Sequence, residues 1–541
     1  MGQVYPLKLN KTVKKKTGNT LLPSNEEEFK KLAAKETGGY NYSVEDYFRT
    51  PQTFAFKLSP NGDHIAYMKR RDSGERDLYL MDTKTKKESL LKKQEQDLIR
   101  GFSWANDERI LYLQDKGGDE NYHVYGVDIN GANDKELTPF EGVRVNIIES
   151  LKEDKEHIII QMNKDNPQQE EPYRLNINSG EITKLYTVKE GEPPVAGYDF
   201  DREGNLRAIS RIVDGVNTEL LYKIDGEFKL VKLTEFGDEF GISSFNPGSA
   251  NPDDAYVISN LEGDKIEIQL YDLKKNKKIN TVFSNDTYDV SGMALSKKRN
   301  YEIDYFSYTG EKTQIIPVSD TYKKIYNRLK QEFGDKQFFT VGRTDDESKY
   351  MVAVTSDKIV GEYYLYDVEA DEISLLYKLL PHLKEEDMAS MKPITFKSRD
   401  GLTLHGYITL PHSYQEGMQV PLVVNPHGGP QGIRDSWGFN PEAQLFASRG
   451  YATLHVNFRI SGGYGKEFLK AGFGEIGRKA MDDVEDGVDY VIEQGWVDKE
   501  RIAIYGGSHG GYAVLRGMTK TPEKYACGVD YVGVSNLNTF M

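Results

Sequence analysis

The middle of the chain is built from one short unit that recurs seven times. Each unit has a short apolar strand, a polar turn rich in Asp, Asn, Gly or Lys, and an alternating strand. Most units continue into a third strand and a fourth that carries a YDL-like or MDT-like sequence. The units begin near residues 54, 101, 146, 197, 245, 293 and 341. A spacing of about 44 to 52 residues is typical of four-stranded propeller blades.

Two other repeat architectures fit this pattern less well. A string of independent hairpins would repeat faster, and a helical solenoid would show a 3.6-residue apolar period that is absent here. The sequence therefore predicts an all-β, seven-bladed propeller over residues 51–390, closed into a ring with few exposed sheet edges. A propeller says little about chemistry, since it can serve as a binding platform or a structural lid. Glu170 and Glu171 could bind a substrate amine there, or form an acidic pair in a polar loop without a function.

The pattern changes near residue 390. Two strands surround an Asp-Gly turn in ITFKSRDGLTLHGYITLP, and a buried strand enters a glycine-rich loop in PLVVNPHGGPQG. Further strands in YATLHVNFR, RIAIYGGS and CGVDYVGV alternate with helices in FNPEAQLFASRG and RKAMDDVEDGVDYVIEQG. Such alternation predicts a doubly wound, mostly parallel sheet, covered on both faces, over residues 391–541. Residues 1–50 form the predicted N-terminal extension.

A single serine stands between an apolar strand and a helix in RIAIYGGSHGGYAVLRGM, residues 501–518. The surrounding pattern is G-x-S-x-G, which holds a nucleophilic serine on a sharp bend above the edge of a sheet. Gly506, Gly510 and Gly511 fit such a bend, because side chains there would collide with the backbone. The pattern alone is weak and also describes an ordinary glycine turn. Its setting between strand and helix favours Ser508 as a nucleophile.

A second glycine-rich loop, HGGP, follows an earlier strand of the same predicted sheet at residues 427–430. An attacking serine needs two backbone N–H groups that face the developing oxyanion. We expect one from His509, directly after the serine, and one from Gly428 in the HGGP loop. The alternative is a glycine turn that only closes a strand.

The composition narrows the possible partners and location. The 541 residues carry a net charge of −15, which argues against a nucleic-acid or anionic-membrane partner. The N-terminal stretch has no apolar core for a signal peptide, and no window approaches the length of a membrane span. The single cysteine, Cys527, excludes an intrachain disulfide and fits a reducing compartment, so the predicted location is the cytoplasm. We expect Cys527 to be buried and inert in its apolar strand.

Blades, HGGP and GGSHGGY in this order resemble the prolyl oligopeptidase family of serine peptidases, and within it the acylaminoacyl-peptidase and dipeptidyl-aminopeptidase branch. The likeness continues in SVEDYFRTP, GGDENYHVYGVDINGANDKELTPF, VNFRISGGYGKEFLKAG and VGVSNLNTF. One position departs: Ile460 follows the arginine of NFR, where the family usually has glycine. The resemblance implies an α/β-hydrolase domain and a peptidase for short peptides, because the propeller caps the active site. It implies no metal and no organic cofactor, and it leaves the oligomeric state open.

The resemblance also implies an acid and a histidine after the serine in chain order. None of the nine histidines follows His509, and Asp530 lies inside a strand rather than beyond it. His427 is an alternative base near the serine, although nothing upstream is placed to orient it. We therefore interpret the chain as a carboxy-truncated member with a hydrolase domain that is incomplete at its C-terminus. We expect it to be inactive alone.

Two other functions stay open. The propeller surface could be the working part of a binding protein with an inert hydrolase half. An esterase of the same fold would use the same serine bend, but it predicts no seven-bladed cap. The sequence leaves open the preferred cleavage site, endopeptidase or exopeptidase action, and whether the truncation is natural, a split gene or an incomplete sequence.

Overall fold

The structure is a computed structural model that describes residues 27, 30, 31, 40–151, 153–245 and 248–537. The chain forms two compact units, Met1–Ser43 and Val44–Met541. All helices and strands named below belong to the second unit. Most of the predicted extension over residues 1–50 lies outside the described residues, and helix α1 (Val44–Phe48) covers part of its SVEDYFRTP sequence.

Seven separate antiparallel sheets follow one another along the chain, which confirms the predicted seven-bladed propeller. The first four blades contain β1 Thr53–Leu58, β2 His64–Arg70, β3 Arg76–Asp82, β4 Glu88–Lys92; β5 Ile99–Trp104, β6 Arg109–Gln114, β7 His123–Asp128, β8 Lys135–Glu136; β9 Val145–Ser150, β10 His157–Met162, β11 Glu171–Asn176, β12 Ile182–Lys184; and β13 Val195–Phe200, β14 Leu206–Val213, β15 Asn217–Ile224, β16 Glu227–Thr234. The last three contain β17 Phe240–Phe245, β18 Asp254–Ser259, β19 Glu267–Asp272, β20 Lys277–Phe283; β21 Val290–Ser296, β22 Glu302–Thr309, β23 Thr313–Pro317; and β24 Gln337–Arg343, β25 Lys349–Thr355, β26 Glu362–Asp367, β27 Glu372–Lys378.

Blade six has three strands, and helix α2 (Asp320–Phe333) follows where the other blades have a fourth strand. The helix begins after Ser319, whose side chain accepts a hydrogen bond from the N–H of Tyr322 at 3.0 Å. Its apolar face, with Ile325 and Leu329, is buried in one cluster with strands of blade seven. The helix thus covers the edge that a fourth strand would have covered.

The ring closes without a shared sheet, because all four strands of blade one come from the start of the propeller and all four of blade seven from its end. Side-chain packing joins the two blades instead. Phe56 and Leu58 of blade one form a buried cluster with Met351 and Leu365 of blade seven. The N–H of Asp345 also donates to the carbonyl oxygen of Pro60 at 2.7 Å.

The α/β domain that follows the propeller contains one sheet of six strands, in the order β28-β29-β31-β30-β32-β33. The last four in this order are parallel and the first two pairings are antiparallel, so the sheet is mostly parallel, as predicted. The strands are β28 Met391–Lys397, β29 Thr403–Thr409, β30 Val420–Val424, β31 Ala452–Asn457, β32 Val497–Gly507 and β33 Cys527–Tyr531. The helices of this domain are α3 Pro441–Ser448, α4 Lys466–Lys470, α5 Lys479–Glu493 and α6 His509–Lys520.

The predicted burial of Cys527 is wrong. The cysteine is exposed, as are all five residues of β33. The reason is its place in the sheet, since β33 pairs with β32 on one side and is the edge strand among the described residues. An apolar strand at the edge of a sheet has a neighbouring strand on one side only, so it is more exposed to solvent than the same strand at the centre.

Loops of the propeller contact the α/β domain at several points. The carboxylate of Asp238, between blades four and five, accepts from Lys470 at 2.7 Å. The carboxylate of Asp289, between blades five and six, accepts from the N–H of Gly465 at 3.0 Å. The carboxylate of Asp357 in blade seven accepts from the N–H of Met391 at 2.8 Å. Nothing in the described part of the chain forms a helix long and apolar enough to cross a membrane.

Blade six depends on one buried carboxylate, Asp304, which has no exposed surface. It accepts from Ser319 at 2.8 Å, from Arg343 at 2.7 Å, and from Arg299. We expect D304N to lower the free energy of unfolding by about 3 kcal/mol, because it removes one of the two buried carboxylates, those of Asp304 and Glu347, that pair with Arg299 and Arg343. Chemical denaturation of the purified chain measures this change.

The control for that prediction is D320N. The side chain of Asp320 is 93% exposed in the first turn of α2. Its change should cost less than about 1 kcal/mol, since exposed ion pairs and helix-end charges contribute little. Equal losses in both variants would contradict a structural role for the buried charge.

Candidate active site

The bend at Ser508 joins β32 to α6. Ser508 has φ 55° and ψ −122°, a left-handed backbone conformation that a residue with a side chain rarely adopts. The residue is exposed. Its hydroxyl therefore lies at the N-terminal end of α6, where the partial positive charge of the helix favours a developing anion.

Backbone hydrogen bonds hold this strained residue from both sides. The N–H of Ser508 donates to the carbonyl oxygen of Tyr531 at 3.1 Å. The carbonyl oxygen of Ser508 accepts from the N–H of Tyr512 at 3.1 Å and from that of Val534 at 3.3 Å. The end of β33 and the first turn of α6 thus fix the bend, which offsets a strain of about 1–3 kcal/mol.

Three glycines around the bend allow the backbone to approach closely. A Cβ on Gly506 would lie 2.6 Å from the carbonyl group of Gly510. A Cβ on Gly510 would overlap the carbonyl oxygen of Pro426, and one on Gly511 would lie 2.6 Å from the Cα of Gly533. Any side chain at these positions would push the bend apart.

The HGGP loop lies directly beside the serine. A Cβ built on Gly428 would be 3.5 Å from the Cβ of Ser508 and 4.0 Å from its Oγ. Within the described residues, neither the N–H of Gly428 nor that of His509 donates a hydrogen bond. The site therefore brings together an exposed hydroxyl and two backbone N–H groups that have no hydrogen-bond partner among the described residues.

His427 is held by residues that the sequence did not connect with it. Its Nδ1 donates to Oδ2 of Asp435 at 2.9 Å, and its Nε2 lies 3.3 Å from Oγ of Ser461. The ring stacks on Phe458, with centroids 4.4 Å apart. The sequence offered nothing upstream to orient His427, and the structure places a downstream residue, Asp435, on its ring. Both ring nitrogens are engaged, and Ser508 is not their partner.

Burial would raise the pKa of the Asp435 carboxyl, but the hydrogen bond from His427 and the neighbouring His455 and Arg434 hold that pKa below its usual value. Sequence reasoning missed Asp435 and Ser461, because a loop carries no periodicity that would predict which side chains meet. The only signal was chemical: a carboxylate and a hydroxyl in glycine-rich loops near a histidine.

His509 lies inside the domain. Its side chain has no exposed surface, and its ring centroid is 5.6 Å from Phe458 and 5.7 Å from Tyr512. Burial lowers the pKa of His509 to about 4, and the neighbouring His427 adds to the effect. The ring is therefore neutral at physiological pH.

Asp530 belongs to the strand beside the bend. Its Cα pairs with that of Gly506 in the parallel β32–β33 ladder, and its carboxylate packs against Gly511 and Gly533. No hydrogen bond links Asp530 to a histidine within the described residues. The structure thus brings Asp530 near the bend without connecting it to a base.

Ile460, where the resemblance leads one to expect glycine, has φ 84° and is almost completely buried. A glycine adopts this conformation without strain, whereas a β-branched residue does not. In this conformation the carbonyl oxygen of Ile460 accepts a hydrogen bond from the N–H of Gly432 at 3.0 Å. That bond ties the HGGP loop to the segment after β31.

The side chains of the two glutamates of blade three, Glu170 and Glu171, accept hydrogen bonds from other residues of the chain. Glu170 accepts from Arg144 at 2.7 Å and from Gln161 at 2.7 Å. Glu171 is buried and accepts from the N–H of Val188 at 2.9 Å. Both glutamates therefore have hydrogen bonds within the propeller that explain their presence without a bound substrate. In the part of the chain that is described, no group of three His, Cys, Asp or Glu side chains could hold a metal ion.

Comparisons with known proteins agree on one family. A model of the prolyl oligopeptidase family matches residues 437–541. The chain is 30% identical over 515 residues to dipeptidyl aminopeptidase BIII of Pseudoxanthomonas mexicana, covering 91% of this chain and 72% of that protein. It is 33% identical over 142 residues to the acylamino-acid-releasing enzyme of Sus scrofa, covering 26% of this chain and 19% of the enzyme. A solved prolyl endopeptidase shares the fold, with a TM-score of 0.68 at 16% identity over 93% of this chain and 76% of that chain.

Protonation of the buried His509 should destabilise the fold in acid. Its folded pKa of about 4 lies below the unfolded value of 6.5, so the unfolded chain binds more protons between these pH values. We expect the free energy of unfolding to fall as the pH drops from about 6.5 to about 4, by up to about 3 kcal/mol from this group. Urea denaturation at a series of pH values measures the loss.

The variant H509F should reduce that acid loss, because it fills the same pocket without taking up a proton. The matched control is H412F, since His412 is exposed. His405, whose pKa burial also lowers to about 4, leaves part of the acid loss in both variants. If H509F retains the full wild-type pH dependence, the buried neutral state of His509 is wrong.

Proposed function

Because this chain belongs to the prolyl oligopeptidase family of serine-type peptidases, we propose that Ser508 is its nucleophile and that short peptides are its substrates. One observation carries the proposal: an exposed serine on a strained bend, beside Gly428, with two unpaired amides. A strained strand-to-helix bend is the arrangement that presents a nucleophilic serine in α/β hydrolases.

The chemistry follows from this arrangement. Oγ of Ser508 attacks the carbonyl carbon of the scissile peptide bond, and the carbonyl oxygen becomes an oxyanion. The N–H groups of Gly428 and His509 stabilise that oxyanion, and each such donor contributes about 10²–10³ in rate. A general base takes the proton of the Ser508 hydroxyl and passes it to the leaving amine as the C–N bond breaks. The acyl-enzyme on Ser508 is then hydrolysed by water, which releases the acid and returns a proton to Oγ.

The serine hydroxyl also needs a base, and the nine histidines of this chain do not supply one. The ring nitrogens of His427 are engaged by Asp435 and Ser461, and the ring of His509 is buried against Phe458. No histidine side chain hydrogen-bonds Ser508 within the described residues. Removal of a triad histidine costs about a million-fold in turnover in subtilisin.

We propose release of dipeptides or acylated residues from short peptides as the reaction class. The named relatives are a dipeptidyl aminopeptidase and an acylamino-acid-releasing enzyme. Contacts of the propeller with the segments beside Ser508 and Gly428 support a cap that admits short chains and excludes folded proteins.

We expect the purified 541-residue polypeptide to hydrolyse chromogenic peptides at no significant rate, because no histidine side chain hydrogen-bonds Ser508 within the described residues. The measurement is turnover of dipeptidyl and acyl-aminoacyl nitroanilides, with S508A as the baseline. Robust turnover that S508A abolishes would show that a base is present after all.

The nucleophile itself is tested by chemical rescue. Imidazole in solution should accelerate hydrolysis of an activated acyl ester by the wild-type chain at least about tenfold over S508A, since it can take the proton of the Ser508 hydroxyl as a general base. The control S461A should keep the rescue, because Ser461 is buried away from the substrate. No difference between wild type and S508A would remove Ser508 as the nucleophile.

Hydrolysis rates of different substrates, measured in the presence of imidazole, distinguish a peptidase from an esterase. With imidazole present, a peptidase should prefer acyl-peptides and dipeptidyl esters to simple acetyl or butyryl esters of the same leaving group. A preference for the simple esters would favour the esterase alternative.

A further inference from the structure

The loop that carries Gly428 is fastened to the propeller through one arginine. We call residues 427–435 the 427–435 loop. We call residues 309–312, which run from the last residue of β22 to the residue before β23, the blade-six turn. Arg434 donates from Nη1 to the carbonyl oxygen of Thr309 at 2.9 Å and from Nη2 to that of Gly310 at 3.1 Å. Its planar fork therefore spans two consecutive carbonyl groups of the turn.

The rest of the blade-six turn also contacts the α/β domain. The hydroxyl of Tyr407 donates to the carbonyl oxygen of Glu311 at 3.0 Å. The ammonium group of Lys312 lies 3.7 Å from the ring centroid of Trp437. Every residue of this four-residue turn thus has a partner on the α/β domain.

Arg434 is also fixed from its own side. Its guanidinium lies over the ring of Tyr464, 4.4 Å from the centroid, and its Nε donates to the carbonyl oxygen of Asp435 at 3.2 Å. A Cβ on Gly463 would lie 2.9 Å from Nη1 of Arg434, so the glycine leaves room for the fork. The arginine has little freedom to move without the loop.

Contacts lead from Arg434 back to the serine. The next residue, Asp435, binds His427 and receives the side-chain amide of Asn457 on its carbonyl oxygen. His427 directly precedes Gly428, whose Cα faces Ser508. The C-terminal end of the 427–435 loop is therefore held by the propeller through Arg434 and by the sheet through Asp435, and the N-terminal end is tied to Asp435 through His427.

We propose that Arg434 is a positioning residue, which holds the N–H of Gly428 beside Ser508 only while the blade-six turn is docked. The catalytic part of this inference rests on the proposed function of Ser508. The propeller then does more than limit access, because the oxyanion-binding loop takes its shape from a turn of blade six. A simple interdomain fastening is the alternative, and it predicts no local effect on the loop.

The test compares R434Q with K470Q. Both variants remove a cationic contact between the same two domains, but Lys470 binds Asp238 rather than the blade-six turn. Hydrogen exchange of the full chain reports on the loop, since the N–H groups of Gly432 and Asp435 are protected by hydrogen bonds to Ile460 and Asn457. We expect these two amides to exchange at least about tenfold faster in R434Q and at an unchanged rate in K470Q.

The second readout is the rate at which a fluorophosphonate modifies Ser508 with imidazole present. It should fall about tenfold or more in R434Q and less than about threefold in K470Q, because misplacement of an oxyanion donor slows the reaction itself. R434K keeps the charge and one donor, so its rate should lie between wild type and R434Q. Similar melting temperatures of R434Q and K470Q establish that folded proteins are compared.

The outcomes are distinguishable. Faster exchange in R434Q together with slower modification of Ser508 supports the proposal. Faster exchange with no modification of Ser508 even in the wild type supports positioning of the loop by Arg434 and overturns the proposed nucleophile instead. Equal exchange and equal modification in R434Q and K470Q overturn the proposal, since Arg434 is then only one fastening among several.

Discussion

The left-handed bend at Ser508 is the constraint on which the rest of the α/β domain depends. A serine at φ 55° is unfavourable by itself, so the surrounding chain must hold it there. Hydrogen bonds from β33 and α6 do so, and glycines at 506, 510 and 511 let the backbones meet. The strained bend places an exposed hydroxyl at the start of a helix and beside Gly428, the arrangement on which the proposed nucleophile rests.

The second layer of the site is polar and lies behind the HGGP loop. His427, Asp435 and Ser461 form a hydrogen-bonded chain that has the residue types of a catalytic triad but not its role. Ser461 is completely buried, and Nε2 of the histidine lies 3.3 Å from its Oγ. Geometry rather than residue type therefore separates a structural network from a catalytic one.

The propeller and the α/β domain are connected through loops that also shape the site. Carboxylates of the propeller bind backbone N–H groups around α4, and the blade-six turn accepts the fork of Arg434. Blade six is also the blade with three strands and a helix, held together by the buried Asp304. The blade with the irregular strand number thus binds the 427–435 loop directly, through Arg434.

The sequence by itself determined the architecture, the bend and its glycines, because repeat spacing and strand–turn–helix order are local patterns that backbone sterics translate directly into structure. It could not determine the exposure of Cys527, since an apolar strand reads the same at the centre and at the edge of a sheet. Nor could it pair His427 with Asp435 or Arg434 with blade six. Those contacts join loops without periodicity, and in the second case loops more than a hundred residues apart, so only tertiary packing decides which side chains meet.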